Sequence, residues 1–310
     1  MNIFKNKILL VTGGTGSFGN AVIGKFLKFN LKEIRIFSRD EKKQDDMRSH
    51  YKNKKIKFYL GDVRDRFSVD IAMRNVDFVF HAAALKQVPS CEFYPLEAIN
   101  TNILGANNVI SSAIKHNVKK AIFLSTDKAV YPINAMGMSK ALMEKLAISY
   151  TKNTSSNSTI INCVRYGNVL GSRGSLIPFL IKHKKSKFFT ITDKRMTRFN
   201  ITLEDSVKLV IFALKSMIGG ETFVPKIPTY KIVDIARAID EKKKIKIVGI
   251  RPGEKLHEEM ITKSDSVNTL EFKSFFMILI GLVSILCFFA LTGIFETPRP
   301  DGRISILGGG

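Results

Sequence analysis

The chain has 310 residues, enough for one large domain, or a large and a small one, around a substantial core. With 45% hydrophobic and 25% charged residues it has globular composition, which excludes a globally disordered chain. The formal net charge of +22 comes from scattered lysine runs (52–57, 182–187 and 242–246) without interleaved aromatics or a nucleic-acid fold signature. They read as solvated faces, and no nucleic-acid partner is expected; a basic surface also suits an anionic nucleotide substrate or an anionic membrane face.

The first residues run straight into a glycine-rich turn and lack a small-residue cleavage site, so they read as a first strand and not a signal peptide. Strands are predicted at Ile8–Thr12, Glu33–Ser38, Ile56–Leu60, Phe78–His81, 120–125 and 160–165, with helices at 18–29, 95–116 and 135–150. Short apolar strands alternating with helices predict an α/β fold, a doubly wound parallel sheet of the Rossmann type spanning residues 1–170, to which some later segments return. From residue 171 the rhythm loosens, with a helix near Leu203–Ser216 and short strands near Thr222 and Ile245. Residues 171–272 read as a smaller C-terminal substrate-binding lobe.

The first strand ends in TGGTGSFG, with Gly13, Gly16 and Gly19 at G-x-x-G-x-x-G spacing before a helix. Thr15, Ser17 and Phe18 lie in the same turn. Such a turn lets the backbone approach a pyrophosphate at a helix N-terminus, where unpaired N–H groups favour anions. The second strand ends in Ser38 and Arg39, where an NAD site usually carries a carboxylate; a guanidinium there suits a 2′-phosphate and points to NADP, with NAD as the alternative. Asp62 and Val63 follow the third strand, at the adenine end of such a site. Ala82, Ala83 and Ala84 follow the fourth, offering small residues where ribose and pyrophosphate approach closely.

The fifth strand delivers Ser125-Thr126-Asp127-Lys128, and Asn134-Ala135-Met136-Gly137-Met138-Ser139-Lys140 opens the next helix. With FSRDE, GDVRD, HAAALKQVP, VRYGNVLGSRGS, MTRFNITLED, FVPKIP and IRPGEKLHEEM, these stretches cover residues 8 to about 272 in order. Here the chain resembles the extended short-chain dehydrogenases, and within them the inverting UDP-N-acetylglucosamine 4,6-dehydratases of bacterial polysaccharide biosynthesis. One departure from the superfamily is that Met136 stands where Tyr-x-x-x-Lys has its tyrosine, while Lys140 remains. Methionine takes no proton, which leaves Asp127, a bound water or Tyr131 as the acceptor of the sugar hydroxyl proton.

The resemblance implies a hydro-lyase acting on a UDP-sugar. NADP takes hydride from carbon 4 of the sugar; Lys128, neutral and depressed in pKa by burial beside Lys140, removes the acidified carbon 5 proton. Asp127 protonates the departing carbon 6 hydroxyl, and hydride returns to carbon 6. Thr126 is expected on the oxidised hydroxyl, Lys140 on the cofactor ribose, and Lys86, Tyr166, Asn168, Arg198, Arg251 and Glu254 on the substrate. A homo-oligomer is expected by the same analogy, through helices 95–116 and 135–150. The rival functions are a 4-epimerase or reductase on the same fold, and a non-catalytic nucleotide-binding scaffold.

Residues 275–295 form an uncharged run of 21 residues, long enough at ~1.5 Å per residue to span a ~30 Å hydrocarbon core. Three readings stand: a membrane anchor with the catalytic body on the cytoplasmic side, which is the leading expectation; a buried C-terminal strand and helix; or a divergent tail, continued by residues 296–310. Cys91, Cys163 and Cys287 are far apart and follow no ligand spacing, so reduced thiols in a cytoplasmic protein are expected, with no metal site.

Overall fold

The computed structural model describes residues 2–152, 159–172, 174–279 and 304–305. Its first half alternates strand and helix: β1 (Ile8–Thr12), α1 (Ser17–Phe26), β2 (Glu33–Ser38), α2 (Glu41–Tyr51), β3 (Ile56–Leu60), α3 (Arg66–Met73) and β4 (Phe78–His81). Then come α4 (Val88–Phe93) and α5 (Pro95–Ala98), which a π turn over Ile99–Leu104 joins to α6 (Gly105–Lys115). After these run β5 (Lys120–Thr126), a short 3-10 turn at Asp127–Ala129, α7 (Ala135–Lys152), β6 (Ile160–Tyr166) and β7 (Asn168–Val169). All six predicted strands are present, within a residue of their expected ends.

The strands β3-β2-β1-β4-β5-β6 lie side by side and parallel, the order of a doubly wound sheet. Every residue of β1 and β4 is buried, because helices cover both faces and leave no polar side to the strand. Alternation along β1 sends Leu9 and Val11 to the core under α1 and Ile8 and Leu10 to the core under α3 and α6. The order in which strands are added reverses between β1 and β4, which opens a crevice at their C-terminal ends.

The remaining elements are α8 (Leu176–Lys182), β8 (Phe188–Ile191), β9 (Thr197–Ile201), α9 (Leu203–Ser216), β10 (Thr222–Pro225), β11 (Thr229–Lys231), α10 (Ile232–Ile239), β12 (Lys244–Ile247), α11 (Lys263–Ser266), β13 (Thr269–Glu271), β14 (Phe275–Ile278) and β15 (Ile304–Ser305). The short sheets β11-β9-β7 and β12-β8 are separate from the main one. The strand expected near Thr222 is one of the later segments that return to the main sheet: β10 adds to it beside β6, and α9 packs against α1 and β5.

The expectation of a membrane anchor over 275–295 fails at its N-terminal end. Residues 275–278 are β14, paired antiparallel with β10 and β13, so their backbone hydrogen bonds go to the sheet. Phe275, Met277, Ile278 and Leu279 are buried, and the Phe275 ring lies 4.8 Å from Phe212 and 5.9 Å from Phe223, centre to centre. Among the described residues no helix is long and apolar enough to cross a membrane. Residues 280–295 and Cys287 lie outside the described residues, while Cys91 and Cys163 are buried free thiols.

Candidate active site

The glycine turn occupies the crevice mouth. Gly13 has φ +66, and a Cβ on it would come within 2.7 Å of the Ala83 backbone nitrogen, so only glycine lets the turn after β1 meet the segment after β4. The Gly16 N–H donates to the Gly13 carbonyl at 3.0 Å, and Gly16 caps α1, with Ser17, Phe18 and Gly19 in its first turn. Thr15 lies in the turn, and Ala82, Ala83 and Ala84 line its far side, half-buried. The N-terminus of α1, which the Gly16 N-cap leaves without a capping side chain, and this close backbone approach fit a dinucleotide pyrophosphate. Below it the Thr12 hydroxyl and His81 Nδ1 are 2.8 Å apart. Burial, then the Lys140 charge, lower the His81 pKa to about 3, so this imidazole stays neutral.

At the edge of the crevice, Arg39 Nη1 lies 3.4 Å from Asp62, which Arg64 also holds at 2.7 Å. Arg39 remains more than half exposed. Ser38 is buried, accepting from the Gln44 amide at 3.2 Å, and Val63 packs into the core.

The catalytic segment is assembled by α7. A Cβ on Gly137 would run into the Lys128 carbonyl, so glycine there seats the first turn of α7 on the loop that carries Asp127 and Lys128. Asn134 Oδ1 accepts from the Gly137 N–H at 2.7 Å while its amide donates to the Gly253 carbonyl at 2.7 Å. Lys255 donates to the Val130 carbonyl, and the Lys263 N–H donates to the Tyr131 hydroxyl at 2.7 Å. The segment 253–263 thereby closes over the catalytic loop. Tyr131, one of the three expected proton acceptors, already carries that hydrogen bond and is 45% exposed.

Asp127 is fully buried. Its Oδ1 accepts from the Thr126 hydroxyl at 2.8 Å and from Lys128 Nζ at 3.0 Å, while Oδ2 has no partner. Lys128 Nζ also reaches Asn168 Oδ1 at 3.4 Å and Glu258 Oε1 at 3.7 Å. The expectation that its pKa is depressed is corrected here. Burial does pull it down, but the charges of Asp127 and Glu258 outweigh burial and raise it, and the cation it feels is Arg198, not Lys140. Lys140 is the depressed lysine: burial lowers it to about 8, against the opposing pull of Cys163 and Glu144, and its Nζ donates to the Leu124 carbonyl at 2.8 Å. Met136 is buried among Cys91, Ala98, Leu85 and Val88, as packing for the helix start.

The expected substrate residues divide. Asn168 and Arg198 belong to the Lys128 cluster; Arg198 Nη1 donates to the Thr197 and Leu256 carbonyls at 2.7 and 3.2 Å. Arg251 and Glu254 pair with each other at 3.6 Å near the start of the covering segment, and Lys86 is exposed between β4 and α4. Tyr166 does not reach the site: it is 2% exposed, rings with Phe18, and donates to the Ser206 carbonyl at 2.6 Å. Three residues that motif reading passes over complete the cluster. They are Glu258, Lys255 (3.5 Å from Glu258 Oε2) and Tyr230, which hydrogen-bonds Asn168 and Asn200. The acidic pair in LHEEM is their one sequence signal.

Comparison with known proteins agrees with this fold. The family model described as polysaccharide biosynthesis protein matches residues 9–279. A relative from Rickettsia akari (strain Hartford) named UDP-glucose 4-epimerase is 57% identical over 272 residues, covering 85% of this chain and 80% of the relative. The crystal structure of Pen from Bacillus thuringiensis superposes with TM-score 0.87 at 39% identity, covering 90% of each chain. DesIV from Streptomyces venezuelae, a dTDP-glucose 4,6-dehydratase solved with NAD and TYD, superposes with TM-score 0.73 at 19% identity, covering 82% of this chain and 88% of that one, a likeness of fold. The chain belongs to this polysaccharide-biosynthesis family and is a nucleotide-sugar-modifying enzyme.

Proposed function

We propose that the protein is a UDP-N-acetylglucosamine 4,6-dehydratase that inverts carbon 5. The observation that carries this reading is the pair of half-buried Lys128 and fully buried Asp127, joined by a 3.0 Å hydrogen bond. An ion pair of ammonium and carboxylate holds the same number of protons as a neutral amine beside a carboxylic acid. One transfer along that hydrogen bond turns the resting pair into the base and acid that elimination needs. Lys128 then takes the carbon 5 proton while Asp127 gives its own to the carbon 6 hydroxyl, which leaves as water, and the ion pair is restored.

A nicotinamide dinucleotide in the Gly13–Ala83 crevice would supply the reversible oxidation, taking hydride from carbon 4 as the hydroxyl there gives up its proton to solvent, and returning it at carbon 6 as a solvent proton reaches the opposite face of carbon 5. Gly13, Thr15, Gly16, Ser17, Phe18, Gly19, Ala82, Ala83 and Ala84 would cradle its diphosphate, with Ser38, Arg39, Asp62 and Val63 at the adenosine end and Lys140 at the nicotinamide ribose. NADP is favoured by Arg39, half free at the end of β2. Thr126 would meet the oxidised hydroxyl, Asn168 and Arg198 the sugar diphosphate, and Arg251 and Glu254 the uridine.

A second reading, UDP-sugar 4-epimerase, is favoured by the name of the rickettsial relative. Against it stands the Asp127–Lys128 acid–base pair, which inversion at carbon 4 alone does not need. Incubation with UDP-N-acetylglucosamine and NMR of the product separates the two. Dehydration yields a 4-keto sugar with a methyl group at carbon 6, whereas a product that keeps its carbon 6 hydroxyl and differs only at carbon 4 contradicts the proposal.

A further inference from the structure

We propose that Glu258 is a positioning residue for Lys128, a second buried carboxylate that holds the amine and serves as its fixed counter-charge through the proton transfer. This rests on the dehydratase reading for its consequence, though not for its measurement. The Glu258 side chain is 3% exposed, its Oε1 lies 3.7 Å from Lys128 Nζ, and its Oε2 has no hydrogen-bond partner and only Lys255 Nζ, 3.5 Å away, as an ion-pair neighbour. A carboxylate withdrawn this far from water is costly unless a nearby cation compensates it. Lys128 and Lys255 are the cations that do so.

Asp127 cannot serve as a fixed counter-charge, because its role has it gaining and losing a proton in each turnover. When Lys128 becomes an ammonium by taking the carbon 5 proton, Asp127 is still the acid. A second, unchanging negative charge then stabilises the new ammonium and makes Lys128 a stronger base. The charged and titratable groups around the pair are Asp127 on the catalytic turn, Arg198 on β9, Tyr230 on β11, and Lys255 beside Glu258 itself. Among the described residues, only Glu258 adds a carboxylate to the one Asp127 provides.

The test follows Lys128 directly. In full-length protein labelled with 13C at lysine Cε, the Lys128 resonance is assigned by its loss in Lys128→Arg, and its titration is read in wild type, Glu258→Gln and Glu258→Asp. The titration midpoint is expected to fall by about one pH unit or more in Glu258→Gln, and to stay near wild type in Glu258→Asp, which keeps the charge. An unchanged midpoint in folded Glu258→Gln overturns the proposal. If Glu258→Gln does not fold, a Lys255→Gln variant takes its place: with one competing cation removed from Glu258, the midpoint is expected to rise, and a fixed midpoint overturns the proposal. Product formation is followed over the same pH range, where the rising limb is expected to move to lower pH in Glu258→Gln with a reduced plateau. If the wild type makes no dehydrated sugar, the dehydratase reading fails, while the titration still decides the role of Glu258.

Discussion

At the scale of single residues, Lys128 and Lys140 exchange the electrostatic characters their sequence positions suggest. Lys140 is buried and Lys128 half-buried, yet carboxylates surround Lys128 and almost none touch Lys140, so burial dominates only at Lys140. Replacing Lys128 by alanine removes the base and one end of the Asp127 ion pair; the expected result is loss of turnover by ~100-fold or more, with cofactor affinity unchanged by equilibrium titration. A variant that still dehydrates its substrate contradicts the assignment. Lys140 is a cation below about pH 8 and neutral above it. If it holds the cofactor ribose as a cation, affinity for the dinucleotide falls as pH rises through 8 in the wild type and is flat in Lys140→Met, a contrast that calorimetry at pH 7 and 9 reads. At the far end of the crevice, Arg39→Ala is expected to weaken NADP binding selectively over NAD; equal losses for the two would remove Arg39 from cofactor choice.

At the scale of elements, what the sequence made legible was local. The glycine spacing, the strand ends and the Asp127-Lys128 pair each follow from a few consecutive residues, and the structure brings Gly13 and Ala83 together at the place the strand order demands. Long-range convergence was hidden. Asn134 meets Gly253 across 119 residues of chain, and Glu258 reaches Lys128 only because that contact folds the covering segment over the loop. No periodicity encodes such a meeting. The stretch from Phe275 misled for another reason: a strand that lies mostly in the core is as uniformly apolar as the start of a membrane helix, and pattern alone does not separate them. As core, Phe275→Ala is expected to cost ~3–5 kcal/mol of stability, and truncation after Lys273 to leave β10 without its antiparallel neighbour. Denaturant unfolding checks the substitution; an unchanged midpoint would return β14 to the surface.

At the scale of the whole molecule, the main sheet opens its crevice beside the loop after β5, and β9, β11 and the segment 253–263 bring Arg198, Tyr230 and Glu258 onto that loop. The central claim is that the group leaving carbon 4 arrives at carbon 6 of the same sugar. It is tested most directly with UDP-N-acetylglucosamine deuterated at carbon 4, unlabelled water and the purified full-length protein, with the product read by NMR and mass spectrometry. A dehydratase places the deuterium in the new carbon 6 methyl group of a 4-keto sugar. Deuterium retained at carbon 4 of a sugar that keeps its carbon 6 hydroxyl would contradict the account and make the protein an epimerase.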